Sequence, residues 1–134
     1  MLKSILSISG KPGLYKIISQ GRNMLLLETI DAVRKRFPSS TRDKLISLGD
    51  IAMYTDSEDK PLADIMESIK EKENGAVVPL DVKQASNTEL MEWMTAVLPN
   101  WDQDRVHISD IKKLISWYNI LVTNGITEFR EAGE

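Results

Sequence analysis

The sequence contains no cysteine, so no disulfide can staple the chain and no thiolate can serve as nucleophile or metal ligand. Histidine occurs once, at His107, and a metal would therefore have to be held by carboxylates and other oxygen ligands. No apolar run approaches the roughly 20 residues that span a bilayer. The opening stretch from Met1 to Gly10 is broken by Ser4, Ser7 and Ser9, and Lys11-Pro12-Gly13 follows where a signal peptide would carry a small-residue cleavage site. These features predict a cytoplasmic protein with no membrane partner. They also fit a reducing compartment.

What is present suits a globular chain. In 134 residues, 42% are hydrophobic and 28% charged, enough apolar content to close a core without staples. The net charge of −3 hides an asymmetry. Residues 1–55 carry nine Lys and Arg against four acids, whereas residues 56–134 carry eight against sixteen. A basic front and an acidic back are the main compositional hint of function.

Hydrophobic periodicity divides the chain in the same place. Residues 2–8 read as one helical turn. Ser9 to Gly13 forms a turn, in which two glycines bracket Pro12. Residues 14–19 and 24–30 read as strands joined by a tight reversal at 20–23. Residues 34–39 form a third strand that Pro38 confines to an edge or a bend, and 45–48 and 51–55 complete a small curled sheet. After Thr55 the period lengthens. Pro61 suits the first position of a helix, and Leu62, Ile65, Met66 and Ile69 share one face. Asn74-Gly75 ends that helix. Ser86 and Glu89 match a capping box before the stripe Leu90, Met91, Met94, Val97, Leu98. Ser109 is the expected cap of the longest helix, on which Ile111, Leu114, Ile115, Tyr118, Leu121 and Val122 face one way, and Asn124-Gly125 ends it.

No arrangement of residues supports catalysis or a cofactor. His107, Ser109 and Asp110 are neighbours at a helix start, not a dispersed triad. Asp102-Gln103-Asp104 opens like a calcium loop, yet its sixth and twelfth places hold His107 and Lys113 where Gly and Glu are needed; Asp104 and Arg105 more simply order the loop. Gly10-Lys11-Pro12-Gly13 lacks the upstream Gly and following hydroxyl of a phosphate loop. Glu67, Glu71 and Glu73 lie among lysines on a solvated face.

Two features remain. The first is the basic cluster Arg34, Lys35 and Arg36, with Arg22, Arg42 and Lys44 near it in sequence and Tyr15 and Phe37 as stacking faces. Such a surface binds RNA or single-stranded DNA by tracking phosphates and stacking bases; the plainer reading is a solvated edge strand guarded by charge. The second is the aromatic set Trp93, Trp117 and Tyr118, with Trp101. Core packing explains these residues, or an exposed Trp117 anchors an interface.

The segments SGKPGLYKIISQGRN (Ser9 to Asn23) and DRVHISDIKKLISWYNIL (Asp104 to Leu121) resemble a Bacteroidetes family of short uncharacterised proteins, a domain of unknown function. DIAMYT and the KEKENG helix end are similar to it as well, so the resemblance covers roughly residues 2–125. It implies a small SH3- or Sm-like β domain followed by helices, and it implies no activity, substrate or catalytic residue. Asp31 to Lys44 departs from the family pattern, so the basic cluster is not carried by the resemblance.

The expected fold is α+β: an SH3/Sm-like open barrel of four or five strands in residues 1–56, then three helices in 57–134. The expected function is a non-catalytic binding module. It recognises nucleic acid through the basic front, or a protein partner or second copy of itself through the Trp-bearing helices.

Overall fold

The structure is a computed structural model that describes residues 2–8, 13–22, 24–39 and 44–129, with Lys3 described by its backbone alone. Most of the first turn, Asn23 and Arg42 lie outside the described residues.

Leu2–Ser4 forms a single 3-10 turn, and Ile5–Ile8 is strand β1. The helical turn expected over 2–8 is thus corrected to a turn and a strand. The cause is burial on both faces of β1. Ile5 joins the main core, while Leu6 and Ile8 enter a smaller cluster on the other side. A strand covered on both faces loses the alternation that marks strands in a sequence.

Strand β2 (Tyr15–Gln20), β3 (Leu25–Thr29), β4 (Arg36–Pro38) and β5 (Leu45–Ser47) complete an open antiparallel sheet in the order β4-β3-β2-β1-β5. The β2–β3 hairpin falls where the two apolar runs predicted it. Its register shifts between Ile17 and Ser19, a bulge that adds twist and curls the sheet. Pro38 lies on edge strand β4, where the missing N–H costs no ladder bond.

The run expected as a fifth strand of the sheet does not join it. Ala52–Met53 (β6) pairs instead with Lys60–Pro61 (β7) in a separate hairpin. Buried Thr55 fixes the turn: its hydroxyl donates to the Glu58 carbonyl at 2.6 Å and accepts from the Ser57 amide at 3.1 Å. Pro61 therefore ends a strand and caps the helix instead of occupying its first position.

The three expected helices are α1 (Leu62–Lys72), α2 (Asn87–Val97) and α3 (Ile108–Thr123). Ser86 and Glu89 form the predicted capping box. Helix α3 begins before Ser109. The Asp110 carboxylate accepts the His107 N–H at 2.9 Å and closes the helix start there. Gly125, at φ +82°, ends the helix in the left-handed region.

The stripes of α1, α2 and α3 bury one core, and Leu2, Ile5, Leu14 and Leu48 from the β-rich part belong to it. Fully buried Leu48 begins the 3-10 turn Leu48–Asp50 that leads from β5 towards β6. Leu48→Ala is expected to cost about 2–5 kcal/mol. Urea unfolding followed by far-UV circular dichroism and by tryptophan fluorescence should show sheet and helices melting in one coincident transition. Separate transitions would contradict a shared core.

Candidate functional site

Five of the six sequence-predicted basic residues are described, and the structure does not gather these five at one place. Arg34 and Lys35 lie in the β3–β4 loop and Arg36 on β4. Register aligns Lys16, Glu28 and Arg36 across β2, β3 and β4, so an acid sits between the cations. Arg36 Nε donates to Glu28 Oε2 at 2.9 Å. Arg34 and Lys16 line a cleft of about 150 Å³ together with Glu28, Asp31 and Asn124. Arg22 lies in the β2–β3 turn at the other end of β3, five strand residues away, or roughly 17 Å at about 3.4 Å per residue. Lys44 precedes β5 at the opposite edge of the sheet.

Arg34 has φ +53°, in the left-handed region. Asp31 holds it there: its carboxylate accepts the Arg34 N–H at 2.9 Å, the Val33 N–H at 3.0 Å and the Thr29 hydroxyl at 2.8 Å. These bonds, led by that from Arg34, keep the Asp31 carboxyl below its ordinary pKa.

The stacking role expected of Tyr15 and Phe37 is corrected. Tyr15 is buried and meets half-buried Phe37 edge-on, with centroids 5.5 Å apart. Both serve the small cluster on the far face of β1. Register explains this, because Tyr15 lies opposite Leu6 and Phe37 opposite Leu27.

The aromatic set divides. Trp93 and Tyr118 are buried in the main core and offer no interface. The Tyr118 hydroxyl donates to the Ala76 carbonyl at 2.8 Å, and burial raises its pKa. Trp101 is buried too, with its indole N–H on the Thr95 hydroxyl at 2.9 Å. The Trp93 indole N–H is buried without a partner among the described residues. Trp117 alone of the three tryptophans is only half-buried.

Trp117 lines a groove of about 200 Å³ between β6 and the first half of α3. Ala52 and Tyr54 form one wall, Leu62 contributes apolar lining, and Arg105 and Lys113 stand among the polar lining residues. Tyr54 is 42% exposed, and the Arg105 guanidinium sits over its ring, 4.2 Å from the centroid. Asp102 sets that arginine in place. Its Oδ2 accepts Arg105 Nε at 2.8 Å, and its Oδ1 accepts the amides of Asp104 and Arg105. The loop-ordering role thus falls to Asp102 and Arg105, while Asp104 contributes its amide. The Arg105 hydrogen bond holds the Asp102 carboxyl below its ordinary pKa.

Sequence reasoning did not connect Tyr54 with Arg105. About fifty residues separate them, and no spacing rule relates a strand to a loop that returns beside it. The bridge that joins them, Thr55 to Trp101, is a tertiary contact. Among the described residues no cluster of three His, Asp or Glu side chains that could hold a metal is found. No described helix is long and apolar enough to cross a membrane.

Comparison with known proteins places the two parts of the chain in family models. Residues 51–121 match the domain of unknown function DUF6852, and residues 2–48 match the domain of unknown function DUF5606. The first match spans more than half of the chain. The chain belongs to the DUF6852 family. A solution NMR structure of a structural-genomics target from Bacteroides vulgatus is similar to it over 100% of this chain and 96% of that one, at 64% identity and a TM-score of 0.80. No curated protein matches the chain. The resemblance drawn from Ser9 to Asn23 and Asp104 to Leu121 therefore holds: this DUF6852 protein is one of the short Bacteroidetes family, with the sheet-then-helices architecture described above.

Two outcomes check this geometry. Acrylamide should quench Trp117 while sparing Trp93 and Trp101, so Trp117→Phe should abolish most of the quenching in a steady-state titration. Asp102, with its depressed pKa, contributes stability that is complete above the ordinary carboxylate range and lost as the pH falls through its lowered value. A carbon-13 carboxyl titration should find Asp102 protonating after the free carboxylates. Arg105→Gln should return it towards the ordinary range.

Proposed function

We propose that this protein is a non-catalytic interaction module of the cytoplasm, and that the groove between β6 and α3 is its docking surface for a protein partner. One observation carries the reading: half-buried Trp117 and exposed Tyr54 line the same apolar groove, and Arg105 is stacked on that tyrosine. Tyr, Trp and Arg are the side chains that most often dominate binding energy at protein interfaces, because they offer large, stiff contact area with a polar handle. A cysteine-free chain suits the reducing cytoplasm. The strand order β4-β3-β2-β1-β5, curled by its bulge, supports an SH3- or Sm-like description of the β unit.

The nucleic-acid reading draws less support. Its described cations lie at different ends and edges of the sheet, Arg36 is paired with Glu28, and Tyr15 is buried. A single-stranded binder needs a continuous cationic track with open ring faces.

The test is a random-peptide display selection on the immobilised full chain, repeated with Tyr54→Ala. Enriched peptides should bind the variant at least about tenfold more weakly, as expected for a dominant anchor. In parallel, an oligouridine 12-mer should bind no better than the roughly 10⁻⁴ to 10⁻⁶ M of non-specific contacts. Peptides indifferent to Tyr54→Ala would overturn the reading. So would tight oligouridine binding that disappears when Lys16 and Arg34 are neutralised.

A further inference from the structure

The groove has a backbone wall as well as an aromatic one. The Leu62 N–H donates to the Ile51 carbonyl at 2.9 Å, across the Ala52–Pro61 pair. That bond makes Ala52–Pro61 a non-hydrogen-bonded pair of the β6–β7 ladder, so the amide and carbonyl of Ala52 point away from β7. Along the same strand, the Tyr54 carbonyl accepts the Asp102 N–H at 3.0 Å, and the Asp56 N–H donates to the Asn100 carbonyl at 2.9 Å. Residues 54 and 56 thus pair on the side away from β7, and alternation puts the Ala52 groups on that side too. The returning chain leaves the strand beyond Asp102 and runs through a turn into α3. Opposite Ala52 there is groove, not strand. No partner for the Ala52 amide or carbonyl, or for the Tyr54 amide, is found among the described residues.

Charge selects what would fill the space. The Asp102 carboxylate is taken by Arg105, and that of Asp110 by the His107 amide. Exposed Lys113 lines the groove and has no acidic partner among the described residues. Side chains on the partner-facing and floor-facing sides of an added strand alternate, so one residue would meet Trp117 and Leu62 while its neighbours reach the rim.

We propose that the groove takes an extended segment of a partner protein, alternating acidic and apolar residues, which adds as a short strand to the open side of β6. Main-chain bonds to Ala52 and Tyr54 would supply affinity, the Trp117 wall would select an apolar side chain, and Lys113 would select a carboxylate beside it. This rests on the groove's being the docking surface.

The probe is acetyl-Glu-Val-Glu-Leu-Glu-amide, titrated into the nitrogen-15-labelled full chain. Two controls accompany it: the same peptide with lysine for glutamate, and one with its central amide nitrogen methylated. The acidic peptide should move the Ala52 and Tyr54 amides and the Trp117 indole. Methylation should weaken it about tenfold, the size of one lost hydrogen bond. Lys113→Glu should reverse the preference between the acidic and lysine peptides. Equal binding of both charge types, indifference to methylation, or shifts confined to other surfaces would overturn the proposal. Display peptides that need Tyr54 but are basic or helical would also overturn it while leaving the docking surface intact. Display peptides indifferent to Tyr54→Ala would remove both.

Discussion

Strand β1 is apolar on both faces, and the rest of the molecule hangs on that burial. Ile5 turns into the helical core with Leu2, Leu14 and Leu48, while Leu6 and Ile8 turn the other way against Tyr15 and Leu27. Each such side chain removed from water stabilises the fold by about 1.5–3 kcal/mol. The four that cross into the helical core therefore hold the sheet with an energy comparable to the whole stability of an ordinary domain. The open sheet has no second layer of its own, so the helices supply one.

The groove exists because of that attachment. Once the sheet is seated, the chain leaves β5 through Leu48 into the β6–β7 hairpin, and buried Thr55 locks the hairpin's turn. The Thr55–Trp101 bridge then brings the loop before α3 beside Tyr54. Asp102 gathers Arg105 by both side chain and backbone, and its depressed pKa records the same bonds. Arg105 also reaches the Thr55 carbonyl at 3.4 Å. Two loops fifty residues apart thus fix one guanidinium over one ring.

The charge asymmetry of the sequence has a different outcome. Among the described residues, the basic front does not gather into one basic face. Strand geometry sends neighbouring side chains to opposite sides, and hairpin register places Glu28 between Lys16 and Arg36. The β2–β3 and β3–β4 connections lie at opposite ends of β3, so proximity along the chain separates Arg22 from Arg34 in space. The Asp31 turn that holds Arg34 adds a further carboxylate beside it.

Periodicity was enough to specify the three helices, the Ser86 cap, the Gly125 terminus and the β2–β3 hairpin, because each follows from contacts within a few residues. The α+β class followed from the same local patterns, and the family from the resemblance of the segments Ser9 to Asn23 and Asp104 to Leu121. Strand β1 was misread because burial on both faces removes the alternating signal. The β6–β7 pairing was missed because a two-residue strand carries no period at all. Whether Tyr15 and Phe37 turned into the small cluster, where the described cations lay, and that Tyr54, Arg105 and Trp117 share one groove were decided only by tertiary structure. Those outcomes depend on register, on loop return and on which face of each element the core covers. A linear sequence encodes such relations only through the folded chain as a whole.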